Sequence, residues 1–204
     1  MSTDHTHTPE HRVPRRRADA ERSIARILDA AIDALAGDPD ASMAEIARRA
    51  GVVRATIYVH FPTREALLEA VTHRAIAEVA RVIEAAEPHR GDPADALARV
   101  VAASWQRLGR FHALVAINTR QHGHDELRQR HTTVLATLEP LIERGRADGT
   151  FRADVPASWH LSMLMALMHA ASGELGAGRV SDHDAGPALI ATLLGAVSAR
   201  PGAR

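Results

Sequence analysis

The stretch SMAEIARRAGVVRATIYVHFPTREALL, residues 42–68, constrains the fold of this chain more than any other. It reads as two short helices hinged at Gly51 and followed at once by a third. Ser42 can accept from the Glu45 amide while the Glu45 carboxylate reaches back to Ser42, a capping box that fixes the start of the first helix. Gly51, directly after Ala50, supplies the left-handed residue that ends that helix without a Cβ penalty. Beyond the turn, Ile46, Ala50, Val53 and Ile57 are spaced to meet as a small core, and the alanines let two helices cross closely at a steep angle. Arg54, Thr56, Tyr58 and His60 are then left to point outward. A guanidinium, two hydroxyls and an imidazole on one face suit phosphates and the edges of bases.

The charge pattern supports this locally. The formal net charge is zero, so bulk basicity points to no polyanionic partner. Between Glu45 and Glu65, however, lie Arg48, Arg49, Arg54 and Arg64 with no acidic residue, and Arg12, Arg15, Arg16 and Arg17 form a second basic cluster upstream. Both are candidate phosphate contacts, with a solvated helix face as the alternative. Asp38 and Asp40, in the turn before the motif, keep such a surface small.

The remainder predicts helices only. Ile24, Ile27, Leu28, Ala31, Ile32 and Leu35 form one stripe over Asp19 to Ala36. Thr63 should cap a long helix to about Ala86, and further helices are expected near Pro93–Arg110, Phe111–His122, Asp125–Ala147, Ala157–Ala177 and Asp184–Ala199. Aromatic content of 3% fits an all-α fold better than a β-rich one. At 204 residues the chain divides into a flexible basic arm (1–18), a helix-turn-helix unit (19–70) and a larger helical body (71–200), with the long helix shared between the last two. Cysteine is absent, which removes disulfides and thiolate metal sites and fits the cytoplasm. Val155–Gly173 carries no formal charge, yet its serines, histidines and proline favour a helix covered on two sides by protein over a membrane span.

The segment from about Asp19 to Val71, above all AIARRAGVVRATIYVHFPTREALLEAV, resembles the DNA-binding domain of TetR-type transcriptional regulators. It has that family's Ala50-Gly51 turn, the run Thr56-Ile57-Tyr58-Val59-His60-Phe61, and a basic residue, Arg64, near the start of the next helix. The resemblance implies that Thr56, Tyr58 and His60 lie on a recognition helix and contact phosphates or bases. Arg64 stands where the family usually has lysine, which keeps the charge and changes a point donor into a fork. The candidate DNA-binding set is Ser42, Arg54, Ala55, Thr56, Tyr58, His60 and Arg64. The resemblance further implies a homodimer reading a near-palindromic double-stranded operator, with the last two long helices pairing across a two-fold axis. Leu164, Leu167, Leu189, Leu193 and Val197 are the candidate interface residues.

It implies, too, a small-molecule effector, partly apolar, bound in the larger body to release a repressor from DNA. Trp105, Phe111, His112, Asn118, Met163, Met168 and His169 are the candidate pocket residues, each with plain core packing as its alternative. Two other readings stay open: a DNA-binding dimer without an effector, and a helical enzyme or carrier. No cofactor, metal site or catalytic residue is assigned. His122-Gly123-His124-Asp125 echoes the start of a dinuclear hydrolase motif, but Glu126 stands where the next histidine is required, so a turn with solvent-facing histidines is the better reading. Nucleophile elbow, P-loop and His-Glu-x-x-His patterns are missing, and Gly173, Gly176 and Gly178 follow a helix where a dinucleotide site needs a strand.

Overall fold

The computed structural model describes residues 12–199. Within them the chain forms α1 (Arg12–Gly37), α2 (Met43–Arg49), α3 (Arg54–His60), α4 (Arg64–Ala85) and α5 (Pro93–Leu108). A single 3-10 turn (Gly109–Phe111) leads to α6 (His112–Gln121), α7 (His124–Arg130), α8 (Thr132–Ala147), α9 (Ala157–Gly176) and α10 (Asp182–Val197). The fold is all-α, and no strand is present among the described residues; a lone bridge joins Phe151 to Ser198. None of these helices is long and apolar enough to cross a membrane.

Two apolar cores organise the helices. The first joins α1 to α3 with the front half of α4, around Ile27, Leu35, Ile46, Ile57 and Leu67, and is closed by Phe111 and Leu114. The second gathers α5, α8, α9 and α10 around Leu97, Leu138, Ile142, Leu161 and Leu193. Helix α4 belongs to both, contributing Leu67, Leu68, Val71 and Ala75 to the first and Ile83 to the second. One rigid rod therefore spans the motif and the body. Its start is set by Thr63, whose hydroxyl accepts from the Ala66 amide at 3.1 Å.

Several elements differ from the sequence expectation. The first helix begins at Arg12, so residues 12–18 of the expected arm are helical, with Arg17 paired to Glu21 at 3.1 Å. Residues 1–11 of that arm lie outside the described residues. The expected helix over Asp125–Ala147 is two, broken at His131, whose imidazole Nδ1 bonds the Leu127 carbonyl at 2.7 Å. Leu164, Leu189, Leu193 and Val197, expected at a subunit interface, are buried in the protomer's own core, and Leu167 is half-buried. The largest apolar side chains serve the nearest core first. At the far end, α8 presses on the chain after it: a Cβ on Gly145 would lie 2.2 Å from the Phe151 ring, so only glycine fits.

Candidate DNA-binding face and effector cavity

The turn between α2 and α3 is a Schellman motif. Gly51 takes φ +65°, its amide donates to the Arg48 carbonyl at 3.2 Å, and the Val52 amide donates to the Ala47 carbonyl at 3.0 Å. The Ser42 hydroxyl accepts from the Glu45 amide at 3.2 Å, as expected. The reciprocal half of the capping box is absent, because the Glu45 carboxylate instead accepts from Arg48 and Arg49 at 2.7–2.9 Å. Hydrogen bonds from Arg48 and then Arg49 lower the Glu45 pKa to about 2. Arg48 is thereby committed within α2, while Arg49 also reaches the Asp33 carbonyl of α1 at 3.5 Å.

Ile46, Ala50 and Ile57 meet in the core as the spacing predicted, but Val53 does not. It is the extended N-cap of α3, 70% exposed, and Val52 takes the inward place. On α3, Arg54, Ala55, Tyr58 and Val59 are exposed, while Thr56 and His60 are half-buried. These exposed positions recur at one-turn spacing and form a single outward ridge. The Arg54 guanidinium lies over the Tyr58 ring, 5.6 Å from its centroid, which holds both side chains together on that ridge. Val59, 77% exposed, is an apolar member of the face that sequence reasoning passed over. Arg64 is half-buried and donates to the Pro39 carbonyl at 2.7 Å, bracing α4 against the α1–α2 turn. One Nη is used there, and its fork keeps further N–H groups for a phosphate.

The larger body holds a cavity of about 100 Å³ walled by α4, α5, α6, α7, α8 and α9. Of the candidate pocket residues, Phe111, Asn118, Met168 and His169 line it. Trp105, His112 and Met163 do not. Trp105 is buried on the α5–α10 seam, where Gly186 makes room for its indole. His112 bonds the Gly109 carbonyl at 2.9 Å and packs near Gly176, and Met163 lines an outer groove beside Trp159. Sequence reasoning missed Thr72, Ser104, Arg130 and His131, which do line the cavity. Arg130 and His131 sit at the unforeseen break between α7 and α8, inside a stretch expected to be one continuous helix.

Ties to α4 border this space. Arg130 donates to Glu69 of α4 at 2.5 Å and to Glu126 at 3.1 Å. Asn118 of α6 donates to the Thr72 hydroxyl of α4 at 3.0 Å. The rings of His131 and His169 meet edge-on with centroids 5.2 Å apart. Burial lowers both pKa values, that of His169 to about 4 with help from the neighbouring His131, so both imidazoles are neutral near pH 7. His122, expected in solvent, is paired with Glu126 at 2.7 Å and only 20% exposed. No cluster of three or more potential metal ligands occurs among the described residues.

Comparison with known proteins agrees with this architecture. Residues 27–71 match the family model described as bacterial regulatory proteins, tetR family. Over 150 residues the chain is 32% identical to the HTH-type transcriptional repressor LfrR of Mycolicibacterium smegmatis, spanning 74% of this chain and 77% of that protein. The crystal structure of the TetR-like transcriptional regulator LfrR from Mycobacterium smegmatis in complex with proflavine aligns with a TM-score of 0.68 at 27% identity, covering 88% of this chain and 99% of that one. FadR from Bacillus subtilis, solved with stearoyl-CoA, shares the fold with a TM-score of 0.68 at 18% identity, over 85% of this chain and 98% of that chain. With a Gly51-hinged motif, an exposed α3 ridge and these relatives, the chain belongs to the TetR family of transcriptional regulators, which bind DNA and are not enzymes.

Proposed function

We propose that this protein is a homodimeric repressor that leaves a near-palindromic operator when a partly apolar small molecule enters the cavity of its larger body. Helix α3 enters the major groove, with Arg54, Tyr58 and Val59 facing the DNA and Thr56 and His60 flanking them. Ser42, Ala55 and Arg64 contact the adjoining backbone. The observation that carries the reading is α4: its first half is packed into the helix-turn-helix core, and Thr72, Ala75, Ile76, Val79 and Ile83 wall the cavity. A ligand that prefers one setting of this rod also selects one spacing of the recognition helices, for a coupling of about 1–3 kcal/mol.

The cavity favours this over a dimer without an effector, since its lining is mostly apolar with a few polar groups, the usual make-up of a small-molecule site. At about 100 Å³ it must widen to admit a molecule of drug size, which needs roughly 300 Å³ or more, and α4 is one of the walls that would move. The crystallised complex of LfrR with proflavine supports an effector role for the equivalent body here.

Dimerisation uses the outward faces of α9 and α10. Ala166, Ala170 and Gly173 are exposed on α9, and Ala188, Ala191, Thr192 and Gly195 on α10, with Leu167, Ile190 and Leu194 half-buried between them. The face is uncharged and its small residues let two helix pairs approach closely in an isologous bundle. Trp159, 61% exposed at its edge, gives the contact a large apolar anchor.

Electrophoretic mobility shifts with a DNA fragment selected by the protein test the reading. Wild type should shift it with strong salt dependence, and Tyr58→Ala should weaken binding while the protein remains a dimer. Equal binding by both proteins would remove α3 from the interface.

A further inference from the structure

The polar atoms of the cavity specify the chemistry of the molecule it takes. Its wall is largely aliphatic, from Ile76, Val79, Leu135 and Leu138 to Met165 and Met168, and no carboxylate lines it. Two polar atoms in the lining residues are buried without a hydrogen-bond partner: Nε of Arg130 and the hydroxyl of Ser104. Such orphans are uncommon and costly, and a bound group that satisfies them gains accordingly.

The charges nearby are already matched. The two Nη groups of Arg130 are taken up by Glu69 and Glu126, which also receive His73 at 2.9 Å and His122 at 2.7 Å. Two carboxylates therefore face this one guanidinium, so an anion brought to Arg130 meets a site with no positive charge to spare. A cation fares no better inside. It would find no carboxylate in the lining and two imidazoles that burial keeps neutral. His131 donates through Nδ1 to the Leu127 carbonyl, which leaves its Nε2 as an acceptor.

Resting on the effector reading above, we infer that the ligand is an uncharged, largely aliphatic molecule with a carbonyl or ether oxygen that accepts from Arg130 Nε, and that Ser104 is its second anchor. Apolar contact supplies most of the affinity. The two orphaned donors orient the molecule, and the absence of a counter-charge rejects ions of either sign.

Calorimetric titration of the full chain with decan-2-one, decanoate and decylammonium, which share one chain length, tests this. The ketone should bind at least about a hundredfold more tightly than either ion, because burying an unpaired charge costs several kcal/mol. Arg130→Lys keeps a positive charge for Glu69 and Glu126 but loses the Nε donor, and should weaken ketone binding roughly tenfold or more. Ser104→Ala removes a hydroxyl with no partner in the protein, leaves the fold intact, and should weaken it about fivefold. Binding of either ion as tight as that of the ketone would overturn the inference and leave the effector reading standing. Ketone affinity unchanged in both variants would overturn it too. Failure of all three probes to bind would overturn the inference and leave standing the effector reading, which admits other partly apolar molecules.

Discussion

Replacing His169 by glutamine should make this protein less sensitive to acid. Burial, reinforced by the neighbouring His131, holds the His169 pKa down from 6.5 to about 4. The unfolded chain therefore takes up a proton as the pH drops below about 6.5, whereas the folded chain resists until about 4. Stability is complete above the unfolded value and is lost as the pH falls through that window, because the unfolded state binds more protons there. At pH 5 the loss from this one group is about 2 kcal/mol, from RT ln of the ratio of the two proton-binding polynomials. Since pH 5 lies above the folded value, the figure is governed mainly by the unfolded one. His131 shifts in the same direction and is present in both proteins, so the comparison isolates His169. Urea unfolding at equal protomer concentration, at about pH 7.5 and about pH 5, measures it. The stability of His169→Gln relative to wild type should improve by about 2 kcal/mol between the two conditions. A difference that stays constant with pH would refute the reasoning.

Three further outcomes are expected. Gly145→Ala places a methyl 2.2 Å from the Phe151 ring and should destabilise the protein by about 2 kcal/mol, despite a helix-propensity gain near 1, as read by thermal unfolding. Ala170→Glu and Ala191→Glu put charges on the exposed α9 and α10 faces and should shift the protein toward monomer in sedimentation, with DNA affinity falling in step; a persistent dimer would move the interface elsewhere. Glu69→Gln weakens the tie from α4 to Arg130 without touching the α3 ridge, and should change operator affinity roughly fivefold or more in anisotropy titrations while the dimer stays intact.

The helix-turn-helix unit was legible because its signals are local. Gly51 sits at the position that requires a positive φ, Thr63 caps α4, and Ile46 and Ile57 are one helical face each. What failed depended on geometry that spacing alone does not carry. Val53 and Val52 are equivalent in sequence, and the extended N-cap decides which one faces inward. The break at His131 was hidden because neither glycine nor proline marks it. The leucine stripe of α10 was assigned to a partner subunit, whereas Leu189 and Leu193 fill the protomer's own core and the exposed positions beside them are Ala188, Ala191, Thr192 and Gly195. Arg130 drew no reading from the sequence, because only the fold brings Glu69 of α4 to it beside Glu126 and sets it in the cavity wall.

Selection of duplex DNA from a random pool by the full-length protein tests most directly whether paired α3 ridges read an operator. Enrichment of a near-palindrome is expected, with half-sites whose centres lie about one or two helical turns apart, as the two-fold pairing of recognition helices requires. Enrichment of a single unrepeated half-site, or of no sequence at all, would contradict it.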